Sequence, residues 1–434
     1  MTWIHPLSPE TDETPSTIGG KAHGLIVMKR LGLPVPPGFV ISTAACRAYL
    51  RDGRLPDGLG SELAAAVADL EVATGAERPL TVSVRSGAGV SMPGMMDTIL
   101  NLGLTAGRLR SAVTEVFSSW DTPRATTYRE LHGIPHDAGT AVTVQAMVFG
   151  DRAAHSGSGV AFSRDPNTGE RTPFGEVLFG HQGDDVVSGR STTLPLSELT
   201  EREPAVWADL TKALERVERH YRDACHVEFT FEAGELWLLQ VRPGGIAGGA
   251  AVRVAVDLAD EGLISRQDAL RRVRPEDLRH ARTPRIAASD TPDLLARGAG
   301  ACPGVATGKI ATSADRAVRM AADGPVILVR PHTSPLDMHG LAAAAGVVTA
   351  RGGPASHAAI VARAMGKPAV VGVRCLTFDE AGGRVQVAGR TVPDGMVMTI
   401  DGTAGDIAIG SPRVTTPPTG SHLRRFLEWA AEIP

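Results

Sequence analysis

Residues 349–372, TARGGPASHAAIVARAMGKPAVVG, decide how the rest of the chain is understood. Gly352 and Gly353 permit a tight turn through positive φ, Ser356 is placed to cap a helix, and residues 357–365 have helical composition before Gly366 and Pro368 end it. The turn delivers one imidazole, His357, to the start of a short helix. There the unpaired N–H groups and the positive end of the helix dipole disfavour imidazolium and favour an incoming anion such as a phosphoryl group. Such a histidine suits nucleophilic work. A solitary one is more often a cap or core residue, so the case depends on its company.

Composition narrows the field. A chain of 434 residues has room for roughly two to four domains, and 43% hydrophobic content is ample for their cores. A net charge of −4 with no basic tract gives no electrostatic case for nucleic acid or a membrane surface. Residues 1–24 lack a positive flank followed by an apolar core, and no segment nears the ~18 apolar residues of a membrane span. The expectation is a soluble cytoplasmic protein. Cys46, Cys225, Cys302 and Cys375 are too scattered for a zinc site or a disulfide framework and are expected to be buried apolar residues. Of the 44 basic residues only Lys21, Lys29, Lys212, Lys309 and Lys367 are lysines, so a lysine inside a glycine turn, as at Lys21, points to a chemical requirement.

Upstream of the histidine, residues 17–40 (TIGGKAHGLIVMKRLGLPVPPGFV) predict a Gly-Gly-Lys turn and then a helix with Leu25, Met28 and Leu31 on one side. A glycine turn opening a helix cradles phosphates, with the lysine as a point charge on them. In residues 79–104 (PLTVSVRSGAGVSMPGMMDTILNLGL) a strand over 81–84 runs into Arg85 at the edge of a glycine loop, an arrangement suited to bidentate phosphate binding. Residues 108–129 are helical in pattern and 140–150 form a buried strand. Residues 156–170 (SGSGVAFSRDPNTGE) hold a second small-residue turn at Gly157 and Gly159 and a β-turn over 165–169. Residues 226–244 (HVEFTFEAGELWLLQVRPG) form a hairpin around Ala233 and Gly234, on which Glu228 and Gln240 supply oxygen ligands for Mg²⁺ on nucleotide phosphates, with Arg242 two positions on. Each of these also has an ordinary structural explanation, as a surface turn, an ion pair or a solvated sheet face.

Residues 243–251 are expected to be a linker, Ser265 and Asp268 a capping box, and residues 281–300 a second hinge. From Gly300 short strands alternate with glycine turns in a compact β/α domain, and residues 422–433 close the chain with an amphipathic helix.

Taken together, GGK, SVRSGA with SMPGMMDTILNLGL, SG-GVAFSR-P-TGE, HVEFTFEAGELWLLQVR and TARGG--SHAAIVARAMGKPAVVG closely resemble, in order, the motifs of the pyruvate, phosphate dikinase family, from about residue 15 onward. The resemblance implies an α/β and α+β multidomain protein. In it an ATP-grasp nucleotide-binding domain (1–105 and 106–245) leads through a helical linker (246–295) to a swivelling β/α phosphohistidine domain (296–412) and a linker helix (413–434). It implies that ATP, with inorganic phosphate as co-substrate, loads its β-phosphoryl group onto His357 and leaves AMP and pyrophosphate. Lys21 and Arg85 would hold the phosphates, Gly157 and Gly159 would cover them, Glu228 and Gln240 would bind Mg²⁺, and Arg242 would contact the terminal phosphate.

The departures are informative. His226 stands where the family has an acidic residue two positions before the metal-binding glutamate, and Gly89 where it has an arginine. Ala355 replaces the threonine that is phosphorylated in plant members. The large helical insert after LNLGL is missing beyond Leu104. Residues 422–432 resemble the helix leading into the family's pyruvate-binding barrel, so the acceptor is expected on a separate barrel protein that binds pyruvate. Two other readings are a different small-molecule acceptor and a non-catalytic nucleotide-binding carrier or regulatory protein.

Overall fold

The computed structural model describes residues 2–75, 80–90, 92, 95–187, 193–287, 294–354, 356–378, 385–387, 389–393, 395–416 and 420–432. Pro79, Ser91, Pro93, Gly94, Ala355, Ile433 and Pro434, which figure in the motifs above, lie outside them. The chain is a mixed α/β, multidomain protein. It divides into two compact units, residues 1–149 with 229–241 and residues 150–228 with 242–434.

The first unit is built on an antiparallel sheet in the order Ile4–Pro6, Gly38–Ile41, Ala141–Ala146, Thr81–Gly87, Thr98–Gly103. The middle strand, AVTVQA, is buried along its whole length. Helices Thr43–Asp52, Leu59–Thr74 and Ala106–Ser118 set Cys46, Leu59, Leu63, Leu109, Val113 and Phe117 against Val82, Val84, Val142 and Val144. Burial on this scale, at about 25 cal/mol per Å² of apolar surface, holds the unit together.

Two expectations change here. The Gly-Gly-Lys turn is a kink inside one helix, Pro15–Arg30, at Gly19 (φ 77°, ψ 154°). The cause is close approach: a Cβ on Gly19 would fall 1.8 Å from the Gly87 carbonyl oxygen. Leu31 caps this helix instead of extending its buried face. Arg85 lies within a strand that continues to Gly87, because residues 85–87 keep pairing with residues 141–143.

In the second unit the strands follow the order Glu235–Pro243, Cys225–Glu232, Gly157–Phe162, Phe174–Phe179, Leu194–Pro195. The first two form the expected hairpin, turned by Ala233 (φ 52°) and Gly234 (φ 83°). Gly157 and Gly159 are strand residues, not a loop, since GSGVAF pairs residue for residue with FGEVLF. Helix Gly248–Asp260 begins inside the expected linker, leaving only residues 244–247 irregular. The Ser265–Asp268 capping box is present. Helices Arg266–Arg272, Pro275–His280 and Ser421–Glu432 gather around Gly248–Asp260 through Val252, Val256, Ala269, Leu423, Phe426 and Trp429.

The β/α part carries an eight-stranded mixed sheet in the order Leu294–Arg297, Asp406–Ile409, Val397–Asp401, Val305–Ala311, Val326–Arg330, Gly346–Thr349, Ala369–Val371, Ala299–Cys302. Its central strands pair in parallel, joined by helices, which buries both sheet faces. The unbroken apolar run VILV follows from this. Val326 and Leu328 enter one core with Leu341, Ala358 and Ala362, while Ile327 and Val329 enter the opposite core with Val348 and Ile400. Both chain connections to this part meet in a short ribbon, Arg285–Ile286 antiparallel to Val414–Thr415. Arg285 Nε and the Ile286 amide both donate to the Asp401 carboxylate, at 3.0 and 3.1 Å. Cys46, Cys225 and Cys302 are buried, whereas Cys375 is exposed. Among the described residues, no helix is long and apolar enough to cross a membrane.

Candidate functional site

His357 opens the helix His357–Ala364, directly after the turn in which Gly352 takes φ 84°. Ser356 is its N-cap by backbone position, but the Ser356 hydroxyl is buried and makes no capping bond. The His357 ring is fixed at one nitrogen: Nδ1 lies 3.1 Å from Thr333 Oγ1, and Nε2 is buried with no hydrogen-bond partner. The tautomer that donates Nδ1–H to the threonine leaves the Nε2 lone pair bare.

Thr333 follows strand Val326–Arg330, the neighbour of the strand that leads to His357. It is held by a short capped turn in which Asp337 accepts from the Ser334 amide at 2.9 Å and faces Arg330 Nε at 3.4 Å. Burial lowers the His357 pKa, and the Asp337 carboxylate pulls it partly back. A neutral imidazole results, with one free nucleophilic nitrogen at a helix N-terminus.

Other side chains of this unit adjoin the turn. A Cβ on Gly353 would fall 1.4 Å from Glu176 Oε1, so the turn lies directly on strand Phe174–Phe179. Arg363, on the His357 helix, donates to the carbonyls of Pro354 (2.5 Å) and Ala301 (2.8 Å). Its guanidinium sits 5.5 Å from the ring centre of Phe162, which is stacked on His226 at 4.6 Å. Burial pushes the His226 imidazole down to about 4, with Glu228 opposing the shift and Arg242 and Arg363 adding to it. His226 is thus a neutral packed ring near neutral pH. On the same hairpin Glu228 is half-buried and lies 3.8 Å from Arg242.

In the first unit, the kink at Gly19 seats Lys21 against strand Thr81–Gly87. The Gly20 amide donates to the Ala88 carbonyl at 3.0 Å, and a Cβ on Gly87 would lie 3.4 Å from Lys21 Cβ. Arg85 donates to Gln145 Oε1 at 2.5 Å and to the Leu239 carbonyl at 3.2 Å, and Gln240 is buried. Lys21 and Arg85 thus share one strand end, and Glu228 pairs with Arg242. Thr333, Asp337 and Arg363 were not singled out from sequence. The nearest signal was Ser334 three residues before Asp337, the spacing of a cap.

Residues 50–194 match the family model described as pyruvate phosphate dikinase, AMP/ATP-binding domain, and residues 322–405 that described as PEP-utilising enzyme, mobile domain. Across 96% of its length the chain is 38% identical to the pyruvate, phosphate dikinase of Rhizobium meliloti (strain 1021). The chain is a relative of the pyruvate, phosphate dikinases. Identity is 36% to pyruvate, phosphate dikinase 2 of Oryza sativa subsp. japonica and 35% to the chloroplastic dikinase of Flaveria trinervia, again over 96% of this chain. The chain spans 58%, 58% and 54% of these three dikinases, a little over half of each. The alignment to the Rhizobium dikinase runs over 524 positions, more than the 434 residues here, so parts of that relative have no counterpart in this chain. Among solved structures, the crystal structure of D-cycloserine synthetase DcsG overlaps at a TM-score of 0.30 and 15% identity, covering 55% of this chain and 68% of that one, too weak a likeness to argue from.

Proposed function

We propose that the protein is a dikinase-type phosphotransferase in which His357 Nε2 takes the β-phosphoryl group of ATP. The observation that carries the reading is the bare, neutral Nε2 of His357, with Nδ1 held by Thr333. With inorganic phosphate as co-substrate, a P–N bond forms at Nε2, a phosphoanhydride bond breaks, and AMP and pyrophosphate leave. Such transfer needs positioning and charge neutralisation more than covalent chemistry. Lys21, Arg85 and Arg242 supply positive charge, and Gly157 and Gly159 leave their strand without side-chain bulk where phosphates approach.

Mg²⁺ fits the donor set. One carboxylate, Glu228, and one amide oxygen, Gln240, match an ion that takes few protein ligands and fills the rest with phosphate oxygens and water. Bound there, it would neutralise phosphate charge. His226, packed on Phe162, is not among its ligands. The division proposed for the chain is a nucleotide-binding ATP-grasp domain over 1–245, a helical linker over 246–295, a swivelling phosphohistidine domain over 296–412 and a linker helix over 413–434. The phosphoryl group passes to pyruvate on a barrel protein, in the cytoplasm.

The test is to incubate the protein with Mg²⁺, phosphate and ATP labelled at the β or the γ position. The expected result is acid-labile, base-stable label from β-labelled ATP on His357, and none in His357→Ala. Absence of label from either nucleotide would overturn the reading. Discharge by pyruvate only when a barrel protein is added supports that acceptor, and indifference to the barrel favours another small molecule.

A further inference from the structure

We propose that Arg363 is a positioning residue that couples the shape of the His357 turn to docking of the β/α part on the nucleotide-side strands. The inference rests on the phosphotransfer reading above. Arg363 is the sole charged residue after His357 in an otherwise apolar helix, HAAIVARA, and it is 5% exposed. Among the described residues no carboxylate forms an ion pair with it, and burial lowers its pKa to about 10. Burying a cation in this way costs several kcal/mol unless other groups solvate it. An apolar side chain would satisfy packing alone at less expense.

The solvating groups are placed tellingly. In the guanidinium plane are the carbonyls of Pro354, three residues before His357, and of Ala301. Against its face is Phe162, the last residue of the strand that carries Gly157 and Gly159, backed in turn by His226. Such a cation over an aromatic ring contributes about 0.5–2 kcal/mol.

The two carbonyls have neighbours that make the remaining contacts of this seam. Gly300, beside Ala301, accepts a hydrogen bond from Asn167 Nδ2 at 2.9 Å. Gly353, beside Pro354, presses its bare Cα face on the Glu176 carboxylate. Arg363 therefore ties together the two backbone points at which the β/α part meets residues 157–179, and it does so from the helix that His357 begins. Docking presents Phe162 to the guanidinium, and the guanidinium holds the turn in the conformation that aims Nε2.

The experiment compares Arg363→Lys, Phe162→Leu and the double variant with the unmodified protein. Four quantities are read: the first-order rate of His357 labelling from β-labelled ATP, the half-saturating ATP concentration, labelling by phosphoramidate, and hydrogen exchange at residues 165–170 and 298–302. Phosphoramidate delivers a phosphoryl group to imidazole with loss of ammonia and needs no docked nucleotide site. Expected in both single variants is a ~10- to 100-fold slower rate from ATP, the scale on which misplacing a reacting group acts. Half-saturating ATP stays the same, exchange at both seam segments quickens, and Phe162→Leu takes label from phosphoramidate as fast as the parent. The double variant is no slower than the slower single one, since both act through one contact.

Parental rates from ATP in both variants, or unchanged seam exchange, would overturn the inference. So would equal losses toward ATP and phosphoramidate in Phe162→Leu accompanied by a lower melting temperature, because that pattern marks a merely structural role. If the unmodified protein takes label from phosphoramidate but not from ATP, it is the proposed function that falls.

Discussion

At His357 a single hydroxyl and a single carboxylate set the properties of the ring. Thr333 fixes Nδ1, so the other nitrogen is the nucleophile, and Asp337 works against the burial that lowers the pKa. Only neutral imidazole can accept a phosphoryl group, so the labelling rate should rise with pH through the lowered pKa and then level off. Replacing Asp337 by Asn removes the influence that raises this pKa. The acid limb of the pH–rate profile of Asp337→Asn should therefore lie at lower pH than in the parent, and a limb moved upward would contradict the assignment. The histidine itself was legible, because glycine turn, cap position and helix composition are all local. Its partners were not. Thr333 is 24 residues away, and nothing in PHTSP says which ring it will meet until the parallel strands Val326–Arg330 and Gly346–Thr349 are paired. Arg363 was quoted with the motif, but its role depends on Phe162, about 200 residues earlier.

Among the elements, strand Gly157–Phe162 and helix Pro204–Tyr221 are locked by a buried ion pair just past the strand's end. Arg164 is fully buried and donates to Glu218 at 2.8 Å and to both oxygens of Glu261 at 3.0 Å, while Ser163 Oγ donates to Glu218 at 2.5 Å. Removing one partner of such a pair leaves a buried charge less compensated, which typically costs 3–5 kcal/mol. Because Glu261 remains, Glu218→Gln is expected near the lower end, about 3 kcal/mol, read as an earlier urea transition of the second unit. An unchanged midpoint would mean that Glu261 and solvent suffice. The elements differed from expectation where backbone pairing, not side-chain pattern, decides. Glycine-rich GSGVAF resembles a loop in composition, yet it is a strand because FGEVLF offers an unbroken partner and the close contact of Gly175 with the Val160 carbonyl demands glycine. The kink at Gly19 likewise depends on Gly87, which is distant in sequence.

For the molecule as a whole, the amphipathic stripe of residues 421–432 was evident, but not what it would cover. It returns to helix Gly248–Asp260, with Leu423, Phe426 and Trp429 buried there, His422 Nε2 3.1 Å from Asp257, and Arg425 2.7 Å from Asp260. Trp429 is 3% exposed, so Trp429→Ala should destabilise this helical layer by about 3 kcal/mol, the low end for buried aromatics. Calorimetry should show that loss in the transition that includes residues 248–281, leaving the first unit's transition in place. If the first unit's transition moved instead, the helix would have been assigned to the wrong core. The β/α part lies between these two helical segments and is entered and left through paired strands at residues 285–286 and 414–415. Its ends are neighbours, so in topological terms it is a cassette threaded into a helical layer that is continuous without it. A turn of a few residues joining 284 to 416 would close that layer again, which makes the carrier a part that recombination can lift out or exchange while its host stays folded.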